Sequence, residues 1–265
     1  MKLAGSRILI TGAAGAIAAA TARRLAAAGA RLVLADRNIP ALDKLHEELP
    51  AGTPVACVVA DLGGAAGCRV LAMEAGKPFG GIDVLVNIAG LMDFTRFENA
   101  DPAAIERLVQ VNLVAPMLLA RALLPSLLAQ GGGRIVNVGS TFGSIGFPYF
   151  AAYSASKFGM RGFSEALRRE LGGTGVGVTY IAPRATQTPF NTGAIVRMNR
   201  TLKVAMDPPE LVGAAIQRAI EADRDEVHLG WPERLFVRLN GLFPRIVDGA
   251  LRKQQGVMRR FAAER

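Results

Sequence analysis

A doubly wound α/β fold, with one parallel sheet covered by helices on both faces, is what this 265-residue chain predicts. Short apolar runs alternate with helical patterns along the chain. The runs are near-continuously apolar, as strands buried on both faces must be. The residues of chemical interest fall at the carboxyl ends of those runs, where open parallel sheets hold ligands.

The elements follow in order. Residues 7–11 read as a buried strand, and residues 12–28 as an alanine-rich helix closed by Gly29. A second strand spans 31–36, and a short helix over 41–49 stops at Pro50. Residues 55–60 make a third strand, followed by a helix over 65–75; a fourth strand covers 82–87. A long helix runs over 102–130, with Asp101 as its cap and Pro102 in its first turn. The fifth strand, 134–139, leads to Ser140 and a loop, and helical periodicity returns through Leu171. A sixth strand covers 177–182, a helix 208–222, and a seventh strand 226–229. No repeat or linker divides the chain. One domain over residues 1–230, carrying a helical extension over 231–265, is therefore expected.

Composition narrows the function classes. Hydrophobic residues are 51% of the chain, ample for a sizeable core, and the formal net charge is +9. No basic run is interleaved with aromatics, so no nucleic-acid groove is expected. Cys57 and Cys68 make no metal spacing and read as reduced structural thiols. The first residues pass into a strand too quickly for a signal peptide. No unbroken run of about 18 apolar residues suggests a membrane span. A cytoplasmic protein is the expectation.

The first strand-to-helix turn, Thr11-Gly12-Ala13-Ala14-Gly15-Ala16-Ile17-Ala18, suits a dinucleotide. Helix N-termini offer free N–H groups to a pyrophosphate, and small residues permit close approach. Such a turn is weak evidence alone, and Ala18 stands where a third glycine would pack helix on strand. Asp36, ending the second strand about twenty residues on, strengthens it. Its carboxylate suits ribose hydroxyls and repels a 2′-phosphate, favouring NAD over NADP; the adjacent Arg37 pulls the other way. Asp61, followed by Leu62, is either an acceptor for an adenine amino group or a helix cap. Asn87-Ile88-Ala89-Gly90 ends the fourth strand with small residues that let adenosine approach.

Beyond the fifth strand come Ser140, then Tyr153 and Lys157, one helical turn apart on one face. A phenol titrates near 10 and is a poor base at neutrality, whereas a neighbouring ammonium favours phenolate. An ordinary helix pair and a strand-end turn would leave the same residues.

Taken together, the glycine-rich turn, Asp61, Asn87-Ile88-Ala89-Gly90, Asn112, Ser140 and Tyr153-Ser154-Ala155-Ser156-Lys157 resemble the short-chain dehydrogenase/reductase family, over nearly the whole chain. The resemblance implies a Rossmann-type fold and an NAD(P)-dependent oxidoreductase interconverting a secondary alcohol and a ketone. It makes Tyr153 the general acid/base and Ser140 the donor to the substrate oxygen. Lys157 lowers the Tyr153 pKa and holds the nicotinamide ribose, and Asn112 anchors a relay water. Pro183 and Thr188 fall where the cofactor is contacted, and a homo-oligomer is implied. The sequence departs from the family pattern at Ala16, Ala18, Ile88 and Arg184; the last is expected either near the nicotinamide and substrate or, the reading preferred, pointing to solvent. The altered turn leaves room for a different class, a nucleotide-binding scaffold with little turnover.

Phe142, Ile145, Phe147 and Phe150 precede Tyr153, and Phe190, Ile195, Val196, Met198 and Leu202 lie in a lid-like loop over 184–207. Apolar walls around few polar groups suit a lipophilic substrate, although core packing accounts for part of this set. In the extension, Leu235, Phe236, Leu239, Leu242, Phe243, Ile246, Val247 and Leu251 recur at roughly helical spacing among seven basic residues over 234–260. Such a segment packs on the domain or a partner subunit, or lies on an anionic membrane surface.

Overall fold

Valine, leucine and isoleucine dominate the strands, and in the computed structural model these side chains are buried on both faces of the central strands, whereas those of the two edge strands are half-buried or, at Val59, exposed. The structure describes residues 1–263; Glu264 and Arg265, the end of the expected extension, lie outside the described residues. The strands are β1 (Arg7–Thr11), β2 (Arg31–Asp36), β3 (Val55–Val59), β4 (Val84–Asn87), β5 (Gly133–Val138), β6 (Val176–Ala182) and β7 (Glu226–His228). They form one parallel sheet in the order β3-β2-β1-β4-β5-β6-β7. The chain winds outward from β1 to β3 and then crosses to β4 on the other side of β1. A crevice therefore opens between the tips of β1 and β4.

On one face, α1 (Ala16–Ala27), α2 (Ile39–Glu48) and α8 (Pro209–Glu221) bury Leu25, Leu42, Leu45, Val212 and Ile216 against Ile8, Ile10, Leu32 and Leu34. On the other, α3 (Ala65–Ala75) and α5 (Ala115–Ala129) bury Leu71, Leu119, Leu123 and Leu127 against Leu9, Val33, Leu85 and Ile135. The helix α6 (Ala151–Glu170) lies beside β6. At about 25 cal/mol per Å² of apolar area removed from water, these two faces supply most of the drive to fold.

Four expectations change. The helix expected over 102–130 is α4 (Pro102–Val109), a π turn (Gln110–Val114) and α5. Asp101 caps α4 by accepting from the Ala103 amide at 3.1 Å, as its sequence position predicts. The whole stretch Pro102–Ala129 is long and apolar enough to cross a membrane, contrary to the sequence reading. Arg121 breaks the unbroken apolar run sought there, yet the mean hydropathy survives it. Leu119, Leu123 and Leu127 are inside the core, as in a helix of a globular domain.

The helix expected over 12–28 begins at Ala16, because residues 12–15 form a turn with Gly12 at φ +68°. The segment 184–207 holds its own helix, α7 (Gly193–Thr201), capped by Thr192. The extension forms α9 (Glu233–Leu242) and α10 (Pro244–Ala262). Val247, Met258 and Phe261 of α10 are buried, and α10 lies against α7.

Candidate active site

The crevice is one continuous cleft of about 850 Å³. Its nucleotide end is built by backbone. Thr11 Oγ1 accepts from the amides of Ile88 and Ala89 at 3.1 and 3.3 Å, tying the tip of β1 to that of β4. A Cβ on Gly12 would sit 2.7 Å from Ala89 Cα, so only glycine permits this approach. Gly15 is the N-cap of α1 and provides no side-chain cap, and the first turn carries no acid. Its N–H groups remain available to an anion. Gly12, Gly15, Ala16, Ile17, Asp36, Arg37, Asp61, Leu62, Ala89 and Gly90 all line the cleft. Ala18 also lines it and packs fully buried in the core, so the missing third glycine is accommodated.

Asp36 Oδ2 accepts from the Ala14 amide at 3.1 Å and Oδ1 from the Asn38 amide at 3.0 Å, which fixes the carboxylate beside the glycine turn. Asp61 accepts from the Gly63 amide at 2.9 Å and pairs with Arg107 at 3.3 Å, while Gly64 is the N-cap of α3. Asp61 thus steadies the loop before the helix. Asn87 departs from expectation: it does not line the cleft. Its side chain turns into the sheet and donates to Asn137 Oδ1 at 2.9 Å, leaving residues 88–90 as the wall.

The chemical end gathers Ser140, Tyr153 and Lys157. The Lys157 Nζ donates to Val138 O at 3.1 Å and lies 5.7 Å from the centroid of the Tyr153 ring. Burial lowers the Lys157 pKa to about 8. The Tyr153 phenol moves the opposite way from the sequence reading: burial raises it above its ordinary value, Ser140 partly opposing and Tyr180 adding to the rise. Desolvation, which penalises the phenolate, is the largest of these causes.

Asn112 sits in the π turn, a distortion common at functional sites. Its Oδ1 accepts from Leu91 N at 2.7 Å, and its Nδ2 donates to Leu91 O at 2.9 Å and Ser156 Oγ at 3.1 Å. The carboxamide therefore clamps the strand-end segment beside Lys157, a task the sequence did not suggest.

Tyr180 was missed. Its phenol donates to Ser140 O at 3.2 Å and accepts from Ser140 N at 3.4 Å. A Cβ on Gly139 would overlap its ring, and one on Gly143 its hydroxyl. Only that pairing of small and large residues across β5 and β6 could have signalled it. Of the two alternatives for Arg184, solvent is the one corrected: Arg184 lines the cleft and pairs with Asp207 at 2.6 Å and Glu233 at 3.2 Å, its side chain 17% exposed. Two carboxylates facing one guanidinium raise its pKa, the Asp207 hydrogen bond most.

Above Tyr153 the walls are aromatic. Phe142 stacks on Phe147 at 4.2 Å and meets Phe150 and Tyr153 edge-on at 5.0 and 5.8 Å. Phe190, Ile195, Met198 and Leu202 line the same space, with Pro183 and Thr188 below; Val196 does not. The extension completes it through Phe236, Val247, Leu251 and Met258. The apolar pattern of the sequence included Phe236, Val247 and Leu251 without showing what they cover, and it did not include Met258.

A family model described as short chain dehydrogenase matches residues 6–197. Dehydrogenase/reductase SDR family member 7B of Danio rerio is 30% identical over 94% of this chain and 86% of its own length. A metagenomic short-chain oxidoreductase solved in complex with NADP is 30% identical, with a TM-score of 0.73 over 86% of this chain and 98% of that one. A short chain dehydrogenase/reductase from Burkholderia phymatum in complex with NAD has a TM-score of 0.85 over 93% of this chain and 96% of that one, at 24% identity.

Proposed function

The chain belongs to the short-chain dehydrogenase/reductase family of oxidoreductases, and from that premise we propose that it interconverts a hydrophobic secondary alcohol and its ketone, using NAD in preference to NADP. The observation that carries this reading is one cleft holding a buried phenol, a buried amine and a serine hydroxyl under aromatic walls. At its other end lie an uncapped helix N-terminus and a fixed carboxylate. The residues fit a dinucleotide: the α1 amides suit its phosphates, Asp36 its ribose hydroxyls, and Gly12 and Gly90 leave room for its approach. Asp36 supports the NAD preference, since its charge opposes a 2′-phosphate.

When bound, the nicotinamide supplies or takes the hydride at the carbinol carbon. The chain's own residues handle the proton. Tyr153, kept protonated by burial, donates its phenolic proton to the carbonyl oxygen during reduction and recovers one afterwards. Ser140 orients that oxygen by hydrogen bonding. Lys157 supplies positive charge that limits the cost of the transient phenolate, and Asn112 holds the Leu91 segment beside it. The aromatic walls exclude water and admit apolar substituents.

General acid–base catalysis contributes roughly 10²–10⁴-fold. Tyr153→Phe should therefore lose at least about 100-fold in kcat while binding NADH as the parent does, measured by cofactor fluorescence. Near-normal turnover of an active alcohol or ketone would sink the assignment.

A further inference from the structure

The α9–α10 elbow presents an apolar face that no other part of the described residues covers. None of the ten residues of α9 is buried. Trp231, Leu242, Phe243 and Ile246 are 71%, 73%, 57% and 61% exposed, a concentration unusual for a solvated helix pair. Exposed Arg234, Arg238 and Arg245 lie among them, with Arg252 and Lys253 on the next turns of α10. The acids over the same stretch are Glu233, already paired with Arg184, and Asp248.

The face is continuous with the cleft. Phe236 is 43% exposed and lines the cavity; across the mouth, Phe190 and Val204 are 40% and 38% exposed and line it too. Aromatic and aliphatic side chains surrounded by arginines complement an anionic bilayer, whose interface takes apolar groups and whose headgroups pair with cations. We propose that the α9–α10 elbow docks on an anionic lipid surface, setting the mouth of the cleft against the membrane. The docking rests on the surface alone and is read without catalysis.

Trp231 is the only tryptophan in the chain, so the full-length protein carries its own reporter. With vesicles of phosphatidylcholine containing about 30 mol% phosphatidylglycerol, enough for a surface potential, Trp231 emission should shift to the blue. Brominated acyl chains should quench it, and the protein should pellet with the vesicles. Each cation near the surface raises partition roughly five-fold, so pure phosphatidylcholine should bind far less. Phe243→Ser with Ile246→Ser, at positions that do not line the cleft, should weaken pelleting at least about tenfold. Cofactor binding should be unchanged, which checks the fold. Arg245→Gln, a milder change, should weaken pelleting by roughly the single-cation factor. Three results would overturn the proposal: no spectral shift with the anionic vesicles, equal pelleting by the parent and both variants, or a concentration-dependent shift without lipid accompanied by a dimer that the double variant loses.

Discussion

Tyr180 shows how much of the chemistry rests on a residue that never reaches the cleft. Its phenol satisfies both backbone groups of Ser140, and burial pushes its pKa up to about 12. It stays a neutral donor at any pH where the protein works. Removing that hydroxyl leaves the Ser140 amide without its partner, while the carbonyl keeps the Gly143 amide at 2.9 Å; an unmade hydrogen bond of this kind costs about 1–3 kcal/mol. Tyr180→Phe should lower kcat by roughly tenfold through a misplaced Ser140, with the NADH dissociation constant unmoved. An unchanged kcat alongside a lowered Tm would reduce Tyr180 to a packing role. The sequence could not show this, because a tyrosine in a strand and two glycines forty residues away acquire meaning only when β5 and β6 pair. Ser140, Tyr153 and Lys157 were legible because strand end and helix spacing are local properties.

At the scale of elements, the decisive contact is the Arg184 cluster. Asp207 exchanges backbone hydrogen bonds with its neighbours, its amide donating to Ala185 O and its carbonyl accepting from Gln187 N, both at 2.8 Å. Arg184 extends that anchor to Glu233 at the start of α9. The segment after β6, the return to α8 and the extension are thus fastened at one point. Arg184→Ala should loosen the wall formed by α9 and α10. Steady-state kinetics should show KM for a bulky ketone rising about tenfold with kcat for a small one little changed, the signature of lost uniform binding. Equal effects on both substrates would mean that Arg184 serves the chemistry directly. The strands and most helices were legible from their apolar periods. The π turn was not, since nothing in residues 110–114 sets them apart from an ordinary turn of helix. The fate of α10 was not legible either, because periodicity reveals an apolar face and is silent about its partner.

Across the whole molecule, function costs stability. Lys157 is 4% exposed, and burial brings its pKa to about 8 from the ordinary lysine value. Between those values the unfolded chain binds a proton that the folded chain does not, so this residue makes stability rise with pH over that window. Below pH 8 the folded state bears the full cost of a buried ammonium. Lys157→Met should accordingly raise Tm at pH 7, by less as pH climbs past 8, while abolishing turnover; calorimetry at several pH values tests it. A Tm that falls at pH 7 would show that the amine's hydrogen bond to Val138 outweighs its desolvation.

The crossing from β1 to β4 has a different consequence, for how such a chain can be altered. The nucleotide end of the cleft is made by strand tips and turns before residue 91, whereas the roof over Tyr153 includes Phe190, Met198, Phe236 and Met258. Grip on the cofactor and much of the reading of the substrate therefore reside in separable stretches of the chain. A graft of residues 184–263 from another family member would exchange this roof, its outer face and Thr188, while leaving the part of the dinucleotide cradle before residue 91 unaltered in sequence. The cut site falls at the Arg184 cluster, whose three charged members all lie within the exchanged segment. Diversification by recombination could thus proceed at this seam without separating the members of that ion-pair cluster.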